Sequence, residues 1–210
     1  MYIRTAISTV ALALASAACS KTTPTKITDT WRDPTYTAGP VKNLVIIGAS
    51  MNSANRRTVE DSFASAMMAH GIRATPSYQL FPDQLPSRAD ARNALQKGGY
   101  DSALVANMKG MRQTVTVEPG AWEGGFYDYY GAWGAPAYVE TDEFVKFETT
   151  LWDARGNGKL IWAAVSQTEN PSSAKDFATS LVNKVVPALA DAGLIPPATP
   201  VARVTPPSTL

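Results

Sequence analysis

The strongest concentration of side chains that could bind a ligand lies in residues 119–139, PGAWEGGFYDYYGAWGAPAYV. Seven aromatic residues occupy these 21 positions, with five glycines among them. Aromatic rings pack on sugar rings or on apolar side chains of a partner, and tyrosine adds a hydroxyl. Glycines at this density prevent a stable helix, so the sequence predicts a long loop. The candidate contact residues are Trp122, Phe126, Tyr127, Tyr129, Tyr130 and Trp133.

Three roles are compatible with this loop. Its rings could fold back to cover the core. They could contact a partner protein or a second copy of the chain, since long loops in compact domains are often functional. They could also contact a glycan such as peptidoglycan, or a membrane interface, where aromatic residues are enriched. Glu123 and Asp128 are the only charges of the loop, and they disfavour an anionic lipid surface.

Acid–base catalysis has few candidate residues. His70 is the single histidine, and a hydrolase that uses it as the base is the alternative to a non-enzymatic role. No G-x-S-x-G motif accompanies it, and it falls at the end of a predicted helix, which indicates a structural role. Glu60 and Asp61 are adjacent, so on a helix they point in different directions and do not form a working carboxylate pair. With Arg56 and Arg57 four residues before them, we expect two ordinary surface contacts. The sequence therefore predicts no catalytic residue and a protein that is not an enzyme.

The sequence also has no pattern that indicates binding of a metal, a cofactor or nucleic acid. One Cys and one His exclude an intramolecular disulfide and a Cys/His zinc cluster. Residues 48–53, GASMNS, lack both phosphate-binding fingerprints, so Asn52 or Ser53 is expected only to cap a helix. A net charge of +1 gives no field for nucleic acid. We expect no metal site, no cofactor and no nucleic-acid partner.

The amino terminus has the pattern of a secretory signal peptide. Arg4 is the only charge in residues 1–18, and a run of apolar and small residues follows it. That run is too short to span a bilayer, which needs about 20 residues. The run ends at Cys19, and Ser16-Ala17-Ala18-Cys19 resembles a bacterial lipoprotein box, with Ser16 where leucine is preferred. The alternative is ordinary cleavage after Ala18, which would leave a soluble periplasmic protein.

Lipidation of Cys19 would give the protein a membrane anchor without a transmembrane helix. Fatty-acyl groups such as palmitate bury many CH₂ groups at about 0.8 kcal/mol each. Ser20 follows the cysteine, which by resemblance to enterobacterial sorting signals favours the outer membrane, with the domain facing the periplasm. Removal of Arg4 with the signal peptide leaves 18 basic and 18 acidic residues, so no attraction to anionic lipid is expected.

The elements that position these residues alternate between strands and helices. We expect a signal peptide at 1–18, a lipidated cysteine and flexible tether at 19–30, a domain at 31–195 and a disordered Pro-rich tail at 196–210. The pattern predicts strands at 41–47, 72–80 and 102–108, the last continuing through 111–117, and a hairpin at 143–152 and 159–168. Helices are predicted at 55–70, 87–97 and from Ser172 or Ser173 to Gly193.

The predicted fold is a single α/β domain with a mixed sheet of about five strands and three helices. The long aromatic loop is inserted before the hairpin. Helices on both faces of the sheet and helices on one face are both compatible with this order. Pro76 indicates an edge strand or a bulge. Trp152 and Trp162, which flank the hairpin turn, are expected to pair across the strands.

The chain resembles a family of uncharacterised bacterial envelope lipoproteins. The similar parts are the Cys19 signal, Thr30-Trp31-Arg32-Asp33-Pro34, VKNLVIIGAS, RRTVEDSF, the strand from Gly71 through Pro76-Ser77-Tyr78, and Gly99-Tyr100-Asp101. At the level of the fold it is similar to the α/β domains of the curli-secretion lipoprotein and of the Tol translocation protein's amino-terminal region. The resemblance implies a non-enzymatic role in the cell envelope, with an envelope protein, a second copy or peptidoglycan as partner.

Overall fold

The structure is a computed structural model that describes residues 25–83, 87–118, 138–155 and 158–198. Strands β1 to β6 are Thr25–Arg32, Asn43–Ala49, Arg73–Pro76, Ser102–Glu118, Tyr138–Asp153 and Lys159–Glu169. Helices α1 to α3 are Ser53–Ala69, Arg88–Lys97 and Ala174–Asp191, and a short 3₁₀ turn spans Ser77–Gln79. The strands form one mixed sheet in the order β1-β6-β5-β4-β2-β3. The predicted α/β class, mixed sheet and three helices are confirmed, with six strands instead of about five.

The sheet combines an antiparallel half with a parallel half. Strands β1, β6, β5 and β4 pair antiparallel, whereas β4, β2 and β3 pair parallel. The parallel half contains the strand–helix–strand connections, because parallel neighbours need a long crossover. Strand β3 with Pro76 lies at the sheet edge, as predicted from the missing N–H of proline.

Helices α1 and α3 cover one face of the sheet and form the main core. Phe63 and Met67 on α1, and Leu181 and Leu189 on α3, are fully buried against that face. The four-residue spacing of these side chains puts each set on one helical stripe. Helix α2 packs on the opposite face, where Ala91, Ala94 and Leu95 lie beside Val45 and Ile47 of β2. The helices therefore occupy both faces.

The helix ends follow their capping residues. Asn52 caps α1 by accepting a hydrogen bond from the Asn55 N–H, and Ser87 and Ser173 cap α2 and α3 in the same way. Gly71 and Gly193 follow the last turns of α1 and α3 with φ angles of 72° and 69°, which favour glycine. Pro187 lies inside α3, which continues past it to Asp191.

The predicted tether extends too far along the chain. Residues from Thr25 onward form β1, which pairs antiparallel with β6. Hence the prediction of a flexible 19–30 segment is wrong for Thr25 to Thr30. The Thr-rich sequence suits an edge strand with one face on the core, since threonine is β-branched. At Thr25 the hydroxyl donates to the Ser180 Oγ of α3 at 2.7 Å, and this bond ties the start of the strand to the helix layer.

The expected pairing of Trp152 with Trp162 is also wrong. Leu151 is the direct partner of Trp162, and a bulge follows, so Trp152 pairs with Leu160 and faces the other side of the sheet. Trp162 is buried in the core, whereas Trp152 is 37% exposed. On the same side as Trp152 lies Trp31, which is 48% exposed and pairs with Ala163. We call this side of β1, β6, β5 and β4 the open face.

Candidate functional site

The residues that the sequence singled out for binding lie outside the described residues. This applies to Cys19 and to all six candidate aromatic residues, Trp122, Phe126, Tyr127, Tyr129, Tyr130 and Trp133. Their roles stay predictions. The structure describes the two residues that flank segment 119–137, which are Glu118 at the end of β4 and Tyr138 at the start of β5.

Strands β4 and β5 extend beyond the rest of the sheet at this end. Pairing of β4 with β2 ends at Asn107, and pairing of β5 with β6 ends at Phe144. From Gln113–Glu143 to Glu118–Tyr138 the two strands are paired only with each other among the described residues. We call this two-stranded part, residues 113–118 and 138–143, the ribbon. At about 3.4 Å per residue it projects by roughly 20 Å.

The first described residue lies at the same end of the sheet. Thr25 pairs with Thr168, Thr168 with Val145, and Val145 with Met111, so all four occupy one row at the base of the ribbon. Strand β1 runs away from the ribbon, because it is antiparallel to β6. Thr25 is therefore the residue of β1 nearest to the ribbon.

An apolar cleft lies at the base of the ribbon on the helix-covered side. It has a volume of about 240 Å³ between the first turns of α1 and α3 and the sheet. Met51, Met108 and Met111 line it, together with Phe147 and Phe177, whose ring centroids are 4.6 Å apart. Methionines adapt to irregular apolar shapes, and Met111 is 59% exposed. The cleft can receive an apolar side chain.

A second cavity lies on the open face at the base of the ribbon, with a volume of about 330 Å³. Among the described residues, three cationic side chains line it, Lys109, Arg112 and Lys146, and no carboxylate does. Phe144 and Gln167 also line it. We call it the basic cavity. It exists because β4 has a bulge between Met108 and Gly110, where glycine adopts a φ of 155° and Lys109 is the extra residue.

The first of the two Arg/acid pairs on α1 is not a surface contact, which contradicts the sequence prediction. Glu60 is fully buried and Arg56 is 7% exposed. The Glu60 carboxylate accepts hydrogen bonds from Arg56 Nε at 3.0 Å and Ser77 Oγ at 2.7 Å. It also accepts from the backbone N–H groups of Gly48 at 2.8 Å and Tyr78 at 2.9 Å. A buried charge needs such partners, and this one joins α1 to β2 and to the 3₁₀ turn.

The second pair, Arg57 and Asp61, is exposed as predicted. Both residues contact Tyr78: its hydroxyl donates to Asp61 Oδ1 at 2.7 Å, and the Arg57 guanidinium lies 4.8 Å from the ring centroid. The hydrogen bond to Asp61 is the main reason that the pKa of the Tyr78 hydroxyl is raised above its ordinary value. This pair forms a small surface cluster with no enclosed site.

His70 has the structural role that the sequence indicated. Its Nδ1 lies 2.7 Å from the Pro196 carbonyl oxygen, which joins the end of α1 to the chain after α3. Asp33 of the Trp31-Arg32-Asp33-Pro34 motif is structural too. The Lys159 ammonium and the Thr35 N–H hold the pKa of Asp33 at about 2.

Two further observations concern only the described ranges. No three His, Cys, Asp or Glu side chains there are grouped so as to hold a metal ion. None of the helices there is long and apolar enough to cross a bilayer.

Sequence reasoning missed the basic cavity and the exposed Trp31 and Trp152. The usable signal was Gly110 inside an otherwise regular strand pattern, which indicates a bulge. The net charge of the whole chain did not reveal this local cluster of cations, because a sum over the sequence does not show which charges lie close together in the fold. Only the strand register brings Arg112, Lys146 and Gln167 to one place.

The molecule is thus an α/β domain with a projecting two-stranded ribbon. The sequence matches no protein-family model and no curated protein. Among solved structures, it is similar to the PelC dodecamer from Paraburkholderia phytofirmans, at 17% identity and a TM-score of 0.45 over 81% of this chain and 98% of that one.

Two other solved structures are also similar. Lipoprotein GNA1162 from Neisseria meningitidis is 17% identical, with a TM-score of 0.40 over 72% of this chain and 99% of that one. TolB from Acinetobacter baumannii is 12% identical, with a TM-score of 0.33 over 80% of this chain and 31% of that one. A lipoprotein and a Tol protein are thus among the neighbours, in agreement with the resemblance noted in the sequence. At these TM-scores the likeness carries no argument about function.

Proposed function

We propose that this protein is a non-enzymatic lipoprotein of the cell envelope, anchored through a lipid on Cys19 and facing the periplasm from the outer membrane. It acts as a binding or structural module through the aromatic segment 119–139. The partner is an envelope protein or a second copy of the chain.

One geometric observation carries the proposal. Thr25 and the ribbon lie at the same end of the sheet, and β1 begins at the side nearest the ribbon. Six residue steps separate Cys19 from Thr25, which an extended chain covers in about 20 Å. The ribbon projects over a similar length. An anchor at Cys19 and the ends of the aromatic segment, Glu118 and Tyr138, therefore belong to the membrane-proximal end of the domain.

The non-enzymatic role is supported by the surroundings of the titratable groups. Glu60, the fully buried carboxylate, already accepts four hydrogen bonds. His70 is bonded to a backbone carbonyl. Neither side chain faces one of the two cavities at the base of the ribbon. A general base must lie within hydrogen-bond reach of its substrate, so neither group is placed to act on a molecule bound in these two cavities.

Anchoring is tested by Cys19→Ser, followed by fractionation of the cell envelope. Without the thiol no thioether-linked lipid forms, so we expect the protein to move from the membrane fraction to the soluble periplasmic fraction. Ser20→Ala is the matched control, since it changes the neighbouring residue and keeps the thiol. If Cys19→Ser stays membrane-bound, the anchoring proposal fails.

The binding role is tested by photo-crosslinking in the intact envelope. A photoreactive residue at Trp133 should give a discrete crosslinked product, either with an envelope protein or with a second copy. The same residue at Lys184, exposed on α3, is the control and should give none. Replacing the six candidate aromatic residues by serine should remove the Trp133 product without lowering the melting temperature. A loss of folding instead would favour the role of the rings in covering the core.

A further inference from the structure

The basic cavity carries an inference that goes beyond the proposed function. Lys26, Gln167 and Lys146 form one row across β1, β6 and β5 on the open face. Arg112 and Phe144 pair in the next row. With Lys109, which also lines the cavity, four cations lie together on a chain whose residues 19–210 have no net charge.

Among the residues whose side chains the structure describes, the opposing charges on this face are few and partly engaged. Glu148 is paired with Lys109 at 2.8 Å, and Asp142 accepts a hydrogen bond from the Asn170 side chain at 2.8 Å. Glu169 pairs with Phe144 across the strands and does not line the cavity. Around the cavity, Arg112 and Lys146 therefore provide positive charge that these carboxylates do not neutralise.

We propose that the basic cavity binds an acidic glycan, with Arg112 and Lys146 holding the carboxylate of a sugar acid. The Phe144 ring offers an apolar surface to the face of the sugar, while Gln167 and Thr114 provide hydrogen-bonding groups for its hydroxyls. A volume of about 330 Å³ lies within the range of small-molecule sites. The cations, the ring and the amide match the carboxylate, the apolar face and the hydroxyls of an acidic sugar, respectively.

An acidic peptide fits this site less well. Peptides that bind to sheets usually add a strand at a free edge, where main-chain groups supply most of the affinity. Beside the cavity β5 is paired on both sides as far as Phe144, whereas β4 has no strand paired on its other edge beyond Asn107 among the described residues. The side chains that line the cavity come from β4, β5 and β6, so the site lies across the face of the sheet and not along that edge. Such an arrangement suits a sugar ring that has substituents on all sides.

A lipid headgroup fits this cavity less well, because the cavity lies far from the end of the ribbon. That the ribbon end faces the membrane rests on the proposed function. Thr114 lies four residues from the ribbon end and Lys146 lies eight, which places the cavity about 14–27 Å from that end. The Debye length at physiological ionic strength is about 8 Å. If the ribbon end faces the membrane, the cations are beyond effective reach of its surface charge.

The test uses the full mature chain with Cys19→Ser and isothermal titration with tetragalacturonate. We expect saturable binding that weakens with added salt. The double variant Arg112→Gln, Lys146→Gln should lower the affinity about tenfold or more, because it removes both unpaired charges. Lys184→Gln on α3 removes one charge elsewhere and should leave the affinity unchanged.

Two further probes separate a glycan site from simpler anion binding. Phe144→Leu keeps an apolar side chain but removes the ring, so it should weaken tetragalacturonate binding and leave any binding of inorganic phosphate unaltered. Neutral maltotetraose should not bind. Vesicles with phosphatidylglycerol should not bind the Cys19→Ser chain. Binding of these vesicles that depends on Arg112 and Lys146 would assign the site to lipid and overturn the proposal, as would a complete absence of tetragalacturonate binding. The fractionation of Cys19→Ser is unaffected by either result.

Discussion

Two neighbouring pairs on α1 have the same spacing and opposite surroundings. Arg56 and Glu60 are buried, and the carboxylate receives four hydrogen bonds from three parts of the chain. Arg57 and Asp61 stand one position further along the helix and are exposed, joined only through Tyr78. A rotation of about 100° per residue moves the second pair out of the core. The spacing of an ion pair therefore does not determine its energetic role.

The difference arises from what faces each pair. Glu60 lies under β2 and the 3₁₀ turn, whose N–H groups at Gly48 and Tyr78 would otherwise lack acceptors there. Removing one partner of this buried pair would leave an unpaired charge in the core, which strongly lowers the stability of the fold. The exposed pair is solvated and screened by salt, so its net contribution is small. The buried pair holds α1 against β2 and the 3₁₀ turn, whereas the exposed pair makes contacts only at the surface.

The largest expected effect is that of Glu60→Gln. The glutamine side chain is neutral, so it cannot balance the buried charge of Arg56. Its NH₂ group would also face hydrogen-bond donors, from which it cannot accept. We expect a loss of about 3–5 kcal/mol in the free energy of unfolding, and a fall in melting temperature of roughly 10 °C or more. Urea unfolding followed by circular dichroism measures the loss.

The double variant Arg56→Met, Glu60→Leu sharpens this result. It removes both charges but leaves the Gly48 and Tyr78 N–H groups without their acceptor. We expect it to be more stable than Glu60→Gln and less stable than the parent protein. If Glu60→Gln lowers the free energy of unfolding by less than about 1 kcal/mol, then the hydrogen bonds of Glu60 do not hold α1 to β2 as their geometry indicates.

For Ser77→Ala we expect a loss of stability that is smaller than that of Glu60→Gln. The Ser77 hydroxyl donates to Glu60 and accepts from Arg56 Nη2 at 2.8 Å, and the residue is 2% exposed. Its removal should cost about 1–2 kcal/mol, because two charged groups each lose one partner. Ser62→Ala is the matched control on α1, since its hydroxyl bonds only to the Thr58 carbonyl. The control should stay within about 0.5 kcal/mol of the parent in the same urea titration.

Much of the fold could be predicted from local patterns. The four-residue apolar stripes of α1 and α3, their caps, and the alternation of Val145, Phe147 and Leu151 on β5 all follow from side-chain periodicity. The edge position of β3 followed from Pro76. The error at β1 has a physical reason: Thr25 to Thr30 have no apolar period, and their strand is specified by pairing with β6.

The candidate site was less predictable because it depends on register. Trp152 and Trp162 were expected to pair, but the register of β5 and β6 places Trp162 opposite Leu151, so the next residue, Trp152, has its ring on the other face. The basic cavity likewise needs the bulge at Gly110 and the alignment of three strands. Contacts across strands are long-range, and no local pattern in the sequence reports them.

The smallest expected effect on stability is that of Asp61→Asn, which tests the exposed side of the comparison. At neutral pH we expect a change below about 0.5 kcal/mol, since the group is exposed. The variant should nevertheless lower the pKa of the Tyr78 hydroxyl, because the carboxylate that stabilises its protonated form is gone. In the parent that raised pKa means that the folded state holds the proton longer than the unfolded state does.

The sign of the pH effect follows from this proton. Stability from the Tyr78–Asp61 contact is fully present below the unfolded tyrosine pKa of about 10 and is lost as pH rises through the raised folded value. Absorbance titration of tyrosinate, with Tyr78→Phe to assign the signal, should show one tyrosine titrating earlier in Asp61→Asn. An unchanged titration would show that the exposed cluster does not hold the hydroxyl in solution. A loss above about 1 kcal/mol at neutral pH would remove the contrast between the two pairs.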